Sequence, residues 1–204
     1  MVTTGIIIVS VIFSLLAFNN AIIFNKYLFS PYACFHYNQY YRIFTHAFLH
    51  GDYAHLGFNM FALYMFGQIV EEQSFPQLFG EKALFYYILL YVGGIIFSSL
   101  FEFFKQRNNT AYSSVGASGA VNAVVFSAIL INPTMGMGII FIPVFIPAWL
   151  FGILFLTYSW YMAKRGGDNI GHNAHFFGAI FGLVFTLALK PALFGYFISQ
   201  VLGK

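Results

Sequence analysis

Charged side chains are scarce in this chain of 204 residues, where Asp, Glu, Lys and Arg together make up only 7%. Soluble domains carry about a quarter charged residues, so the composition excludes a protein that faces water on all sides. The single cysteine, Cys34, excludes an intrachain disulfide and a cysteine-rich metal site. The formal net charge of +3 is spread over several loops, which leaves no basic face for nucleic acid.

Apolar residues are abundant instead, at 60% of the chain, and they form long runs without charge at residues 1–25, 83–101 and 108–163. A helix that crosses a bilayer needs ~20 mostly apolar residues. We therefore predict an all-α, polytopic protein of the lipid bilayer, with residues 1–204 forming one domain. Its six transmembrane helices are expected at about 5–24, 54–70, 83–101, 114–131, 147–163 and 171–190. Pro147 is expected to open the fifth helix, and residues 191–204 to form a short tail.

Polar side chains inside these spans are costly in lipid and therefore point to function. They form three clusters, at the starts of spans two, four and six: His46, His50, His55 and Asn59; the residues around Ser118; and His172, Asn173 and His175. Alternate spans run parallel, so the three clusters lie on one side of the membrane at a similar depth. We expect them to meet in one place.

Three polar clusters that lie together contain the side chains that nucleophilic catalysis needs. A serine hydroxyl is a weak nucleophile until a base takes its proton, and histidine has a pKa that suits that role near neutrality. The carbonyl under attack becomes an oxyanion, which needs hydrogen-bond donors in a water-poor site. His55 and Asn59 are four residues apart, so they share a helix face and can both donate.

Glycines accompany two of the clusters. Gly116 and Gly119 flank Ser118 without side chains, so a substrate strand and a neighbouring helix can come close. Gly178 and Gly182 are four residues apart on span six, where they offer a matching smooth face for helix packing.

The motifs resemble those of the rhomboid intramembrane proteases. The matching elements are His55 four residues before Asn59, Gly116-Ala117-Ser118-Gly119, and Ala174-His175 followed by Gly178. The histidine-rich segment from His46 to His50, the pair Tyr41-Arg42 and Glu71 also stand where the family has similar residues, so the resemblance covers about residues 41–182. One position departs from the pattern: Asn122 stands where the family often has an aromatic residue against the catalytic histidine.

The resemblance implies a rhomboid-like bundle with a Ser118–His175 dyad, no third carboxylate, and no metal or organic cofactor. It implies an oxyanion site from His55, Asn59 and backbone N–H groups around Gly116 and Ser118. The resemblance also implies structural roles for Arg42, His46 and His50 in the long first loop and for Glu71 after the second helix. The implied substrates are transmembrane segments of other membrane proteins, and the implied location is a bacterial inner membrane with the active site open to the extracytoplasmic side.

Some alternatives stay open. The chain could be a catalytically inert relative that binds membrane clients, or a transporter or metal carrier that uses its histidines. His172 and Asn173 could line the site or cap the sixth helix, and Asp168 could serve as a third member of the catalytic group. The predicted loops on the active-site side hold six of the nine Lys and Arg residues, which taken alone favours a cytoplasmic position for that side.

Overall fold

The computed structural model describes residues 1–139, 142–167 and 170–203, except for the side chains of residues 139 and 142–144, and its architecture is mostly helical. The α-helices are α1 (Val2–Phe18), α2 (Ala21–Tyr27), α3 (Pro31–Tyr37), α4 (Arg42–Thr45), α5 (Tyr53–Gln68), α6 (Phe75–Phe79), α7 (Ala83–Lys105), α8 (Ser118–Ile131), α9 (Ala148–Arg165), α10 (His172–Leu189) and α11 (Ala192–Leu202). Strands β1 (Gly136–Ile139) and β2 (Ile142–Pro147) pair antiparallel, with Gly136 opposite Pro147. Short 3₁₀-helical turns lie at His46–Phe48 and Gly80–Lys82, and a π-helical turn lies at Ile69–Ser74.

Helix α8 is the centre of the bundle. Every residue from Gly119 to Ile131 is buried except Asn122, and the helix packs against α5, α7, α9 and α10. A helix that is hydrophobic all round belongs inside a larger structure. Ser118 is the first residue of this helix, so it is held by the most enclosed element of the fold.

Two glycines of α10 bring that helix into backbone contact with α8. A Cβ on Gly178 would overlap the carbonyl oxygen of Gly119 and lie 2.7 Å from the carbonyl carbon. A Cβ on Gly182 would overlap the carbonyl oxygen of Ala123 in the same way. Small residues allow such close approach between helices. The spacing of α8 and α10 therefore depends on the absence of side chains at these positions.

The helix limits correct several predicted boundaries. The first span, expected at 5–24, is broken because the Asn20 side chain accepts hydrogen bonds from the N–H groups of Ile22 and Ile23 and starts a new helix, α2. The fourth helix begins at Ser118 rather than at 114, and the fifth begins at Ala148, one residue after Pro147. The expected tail after residue 190 contains the helix α11.

Within the described residues, the expectation of a purely α-helical chain was wrong between α8 and α9, where strands β1 and β2 pair. Among the described residues, two helical stretches are long and apolar enough to cross a membrane: Tyr53–Lys105, which includes α5 to α7, and His172–Leu189. Shorter apolar helices are Val2–Phe18, Ser118–Ile131 and Ala192–Leu202. The bundle of six spans therefore stays a prediction.

The long linker between α1 and α5 is held in place by polar side chains. Buried Arg42 donates from Nη1 to the carbonyl oxygens of Asn25 and Leu28, each at 2.9 Å, and from Nε to Gln39 Oε1 at 2.7 Å. Phe29 and Ser114 exchange two backbone hydrogen bonds, which tie the linker to the segment that leads into α8. These contacts fix the linker next to the start of the Ser118 helix.

Glu71 lies far from that region, one turn after the end of α5. Its carboxylate accepts hydrogen bonds from the backbone N–H groups of Val2 at 2.5 Å and Thr3 at 2.8 Å. The first N–H groups of a helix have no partner within the helix, and a negative charge is favourable there. Glu71 therefore caps α1 and ties it to the turn after α5.

Candidate active site

A cavity of about 1200 Å³ lies where α5, α7, α8, α9 and α10 meet. Its lining includes residues from all three polar clusters that the sequence singles out: His55, Asn59, Gly116, Ser118, Gly119, His172, Asn173 and His175. His46 also lines it, whereas Arg42, His50, Glu71, Gly178 and Gly182 are not among the lining residues. The fold thus brings the three clusters to one place.

His55 lies directly against the segment before Ser118. A Cβ on Gly116 would lie 2.8 Å from His55 Cε1 and 2.9 Å from Nε2, and Gly116 has φ +123°, a conformation that favours glycine. The ring nitrogen Nδ1 of His55 accepts a hydrogen bond from the Gly51 N–H at 3.3 Å. A neutral imidazole that accepts at Nδ1 carries its proton on Nε2. The nitrogen nearest Gly116 is therefore a donor.

Asp52 positions His55 by starting its helix. The Asp52 carboxylate accepts a hydrogen bond from the His55 N–H at 2.7 Å, and α5 begins at the next residue, Tyr53. Asn59, one turn further on, is buried and donates from Nδ2 to the His55 carbonyl oxygen at 2.9 Å. An amide nitrogen has two N–H groups, so a second donor remains.

The N-terminus of α8 adds backbone donors to the same wall of the cavity. Ala117 precedes the helix and Ser118 is its first residue. The first N–H groups of an α-helix have no acceptor in their own helix, and they carry partial positive charge. A developing negative charge close to Ser118 would therefore meet these groups and His55.

His175 lies in the first turn of α10 among aromatic rings. Its ring centroid is 6.2 Å from that of Phe155 on α9 and 6.0 Å from that of His172. His172 in turn lies edge-on to Tyr158, with centroids 5.6 Å apart. The position four residues after Ser118 is Asn122, which lines the cavity. The aromatic neighbour of His175 thus comes from α9 rather than from α8.

Phe155 is a residue that sequence reasoning missed. The chain has 28 phenylalanines, and nothing in the spacing of Phe155 distinguishes it from those that face lipid. Only the packing of α9 beside α10 identifies it as a neighbour of His175.

Glu102, in the last turn of α7, was missed as well. It is buried, it lines the cavity, and its Oε1 accepts a hydrogen bond from Asn173 Nδ2 at 2.6 Å. This bond shows that Asn173 contacts α7 instead of capping α10. A usable signal was present: Ser98 and Glu102, four residues apart at the end of an apolar helix, share one face.

His46 and His50 are buried beside the site. The Nε2 atom of His46 lies 3.1 Å from Ser99 Oγ, and the His46 carbonyl oxygen accepts from the Gly116 N–H at 3.0 Å. The Nδ1 atom of His50 lies 3.0 Å from Ser14 Oγ, which donates to the Phe48 carbonyl oxygen. Burial lowers the pKa of His46 to about 4 and that of His50 to about 3, so both rings are neutral near pH 7.

Two of the alternative hypotheses concern metal and a third catalytic carboxylate. In the part of the chain that the structure describes, no group of three or more His, Cys, Asp or Glu side chains is arranged to hold a metal ion. Asp168, the candidate third member of the catalytic group, lies outside the described residues.

Comparison with known proteins agrees with the fold and the motifs. A family model described as the Rhomboid domain matches residues 37–192, most of the chain. The chain is also similar to a protein described as "RHOMBOID-like protein 12, mitochondrial" from Arabidopsis thaliana, with 27% identity over 195 residues. That match covers 88% of this chain and 55% of the relative, so the chain spans about half the length of that protein. Because the relative is described as mitochondrial, it does not support the bacterial inner membrane expected from the sequence.

The domain match includes every element of the cavity wall from His46 to His175. The resemblance that the three motifs indicated is therefore confirmed over most of the sequence, and the chain belongs to the rhomboid family.

Proposed function

We propose that the chain is an intramembrane serine endopeptidase that hydrolyses peptide bonds in or near transmembrane segments of other membrane proteins. The observation that carries the proposal is that Ser118, His175 and His55, from three different helices, line one cavity of about 1200 Å³. Membership of the rhomboid family supports the same reaction class.

In the proposed mechanism, Ser118 is the nucleophile and His175 the general base. The Ser118 oxygen attacks the carbonyl carbon of the scissile bond while the imidazole of His175 accepts its proton. When the tetrahedral species collapses, the C–N bond breaks and His175 returns the proton to the leaving amine. Water then attacks the carbonyl carbon of the acyl-enzyme while His175 accepts its proton. When the ester C–O bond breaks, His175 returns that proton to the Ser118 oxygen and the new carboxyl product is released.

His55, Asn59 and the first N–H groups of α8 stabilise the oxyanion in this proposal. The hydrogen bond from Gly51 to His55 Nδ1 supports it, because that bond leaves a proton on the nitrogen nearest Gly116. The contact of Gly116 with the His55 ring means that a side chain at position 116 would displace this donor. Donors that are already positioned cost no reorganisation during the reaction.

The proposal includes six membrane crossings, by α1, α5, α7, α8, α9 and α10, and an active site that opens to the extracytoplasmic side. The loops on that side carry most of the basic residues, which by count opposes this orientation. Five of these basic side chains lie over aromatic rings: Lys26 on Tyr27, Arg42 on Tyr41, Lys105 on Phe101, Arg107 on Phe35 and Lys164 on Trp160. Cation–π contacts give these residues a structural role, so the number of basic residues is weaker evidence about the orientation in the membrane.

A cleavage assay tests the proposal. The purified protein is incubated in detergent micelles with a single-span model substrate whose helix is interrupted near one end, and products are identified by mass spectrometry. We expect cleavage by the wild type, and a loss of at least about 1000-fold in Ser118→Ala and His175→Ala, because each group is needed for the attack. Loss of one oxyanion donor in His55→Ala should cost about 100- to 1000-fold.

Ser199→Ala is the matched control, since Ser199 lies on α11, outside the cavity lining, and among the described residues it donates within its own helix, to the Tyr196 carbonyl oxygen. It should cleave at the wild-type rate. If Ser118→Ala cleaves as fast as the wild type, the proteolytic mechanism is wrong. If wild type and Ser118→Ala both bind the substrate and neither cleaves it, the chain is the inert, client-binding relative.

A further inference from the structure

The helix that carries His175 begins after a residue that cannot cap it with a side chain. Gly171 occupies the position before α10, and glycine has no side-chain oxygen to accept hydrogen bonds from the first N–H groups. His175 lies one turn further on, and its N–H donates to the Gly171 carbonyl oxygen at 3.0 Å. Helix ends fray. The position of His175 therefore depends on what holds this first turn from other helices.

Asn173, in the same turn, is held by α7. Its Nδ2 donates to Oε1 of Glu102 at 2.6 Å, and the Glu102 side chain is buried. An ionised carboxylate and a neutral carboxylic acid both have an oxygen that accepts such a bond, so the contact does not depend on the charge of Glu102. Hydrogen bonds are stronger where water is scarce. This bond links the first turn of α10 to the last turn of α7.

Asn173 belongs to the face of α10 that packs on α7. Phe177 and Phe181 follow it at intervals of four residues, which places all three on one side of the helix. Phe177 stacks on Phe101 of α7 with ring centroids 5.1 Å apart, and Phe181 stacks on Phe97 with centroids 4.6 Å apart. The hydrogen bond of Asn173 is the member of this row nearest the start of α10.

The contact of Asn173 with α7 also sets the direction in which His175 points. A helix turns by about 100° per residue, so His175 lies about 200° around α10 from Asn173. It lines the cavity there, beside Phe155 of α9. A helix with its side chains has a radius of about 5–6 Å, so a rotation of this turn by about 10° moves the imidazole by about 1 Å. A displacement of about 1 Å at a reacting group can reduce the rate ~100-fold.

We propose that Asn173 and Glu102 are positioning residues, and that their hydrogen bond holds the first turn of α10 in the rotation that directs His175 toward Ser118. The inference rests on the proposed function, because it assigns the pair to the general base of that reaction. The role needs no contact with the substrate. Loss of the bond should therefore reduce the fraction of molecules in which His175 faces Ser118, and with it kcat, while KM stays nearly the same.

Cleavage kinetics and the rate at which a fluorophosphonate modifies Ser118 test the inference together. Asn173→Ala and Glu102→Met each remove one partner of the bond. Each should lower kcat and the modification rate by about 10-fold, less than a full displacement of about 1 Å would cost, because the stacked rings still hold the rest of α10. KM should stay within about twofold. Glu102→Gln keeps an oxygen that accepts from Asn173, so it should stay within about threefold of the wild type in both rates.

A variant with both Asn173→Ala and Glu102→Met shows whether the two residues act through one bond. It should be no slower than the slower single variant, whereas two independent effects would multiply to about 100-fold. Asn109→Ala is the matched control. Asn109 is exposed, donates from Nδ2 to Gln106 Oε1 at 2.8 Å just after α7, and is not among the residues that line the cavity. Its removal should leave both rates unchanged.

The inference is overturned if Asn173→Ala keeps the wild-type kcat, if the two effects multiply in the double variant, or if only KM changes. A lower unfolding temperature with unchanged rates of cleavage and modification also overturns it, because the bond then stabilises the fold without positioning His175. If Glu102→Met does not fold, Asn173→Ala and Glu102→Gln decide the question, and equal rates in these two variants overturn the inference.

Failure of the proposed function is recognised separately, in the wild type. In that case the wild type neither cleaves the substrate nor reacts at Ser118, and the inference falls with the proposed function. An active wild type with unaffected variants refutes the positioning role alone.

Discussion

The contact between α8 and α10 makes Gly178→Ala a sensitive test of the site geometry. The new Cβ would lie 2.7 Å from the carbonyl carbon of Gly119 and 2.9 Å from its Cα. Carbon atoms in contact are normally about 3.5–4.0 Å apart. These are backbone atoms that no rotamer change can move, so α10 has to shift away from α8 by about 1 Å.

This shift should affect both stability and activity. Overpacking of a close contact costs about 1–3 kcal/mol, while replacing glycine by alanine inside a helix returns up to about 1 kcal/mol. We therefore expect a net loss of about 1–2 kcal/mol. Gly178 is three residues after His175 on the same helix, and a displacement of about 1 Å at a reacting group can reduce the rate ~100-fold.

Gly195→Ala is the control, because a Cβ at Gly195, on α11, meets nothing within 4 Å. Thermal unfolding in detergent and the cleavage assay measure both variants. Gly178→Ala should unfold at a lower temperature and cleave far more slowly than Gly195→Ala, which should match or slightly exceed the wild type in stability. Equal unfolding temperatures and equal rates for the two variants would refute the reasoning.

Three more predictions concern stability and the neighbour of His175. Burial lowers the pKa of His46 to about 4 and that of His50 to about 3, against about 6.5 in the unfolded chain, so stability is full above pH 6.5 and falls below it. At pH 5 each ring should cost about 2 kcal/mol, measured as a lower unfolding temperature than at pH 7. Glu71→Ala should lose about 1–2 kcal/mol in thermal unfolding, because α1 loses its cap. Phe155→Leu should slow cleavage roughly 2- to 12-fold, since a ring contact contributes about 0.5–1.5 kcal/mol to holding His175.

The controls use exposed residues of the same kind. Glu72→Ala removes the neighbouring, exposed carboxylate and should leave the unfolding temperature unchanged, and Phe194→Leu, 60% exposed on α11, should leave cleavage unchanged. The pH argument is wrong if a variant with glutamine at both buried histidines loses as much stability between pH 7 and pH 5 as the wild type does. The capping argument is wrong if Glu71→Ala unfolds at the same temperature as Glu72→Ala. The argument about the neighbour of His175 is wrong if Phe155→Leu cleaves as fast as Phe194→Leu.

Much of the helical framework was predictable because most of each long helix coincides with an uncharged apolar run. The end of the first span was not, since its apolar run continues through Asn19-Asn20, and the break depends on the Asn20 side chain capping α2. The pairing of strands β1 and β2 was not predicted, because the glycines and prolines between the fourth and fifth spans indicate a turn without revealing strand pairing.

The candidate site, too, could be predicted from the sequence only in part. The meeting of the polar clusters followed from their positions at the starts of parallel spans. The roles of Glu102 and Phe155 could not be predicted, because they depend on which faces of α7 and α9 turn toward α10. A pattern along one helix carries no information about the rotation of its neighbour.

The central claim is that the Ser118 hydroxyl is made reactive by the imidazole of His175, and covalent labelling measures this most directly. The folded protein in detergent is treated with a fluorophosphonate, and the modified residue is identified by peptide mass spectrometry in the wild type, Ser118→Ala and His175→Ala. We predict an adduct on Ser118 in the wild type, none at any residue in Ser118→Ala, and a severely reduced rate in His175→Ala. Labelling that persists in Ser118→Ala, or that proceeds at the wild-type rate without His175, would contradict the account.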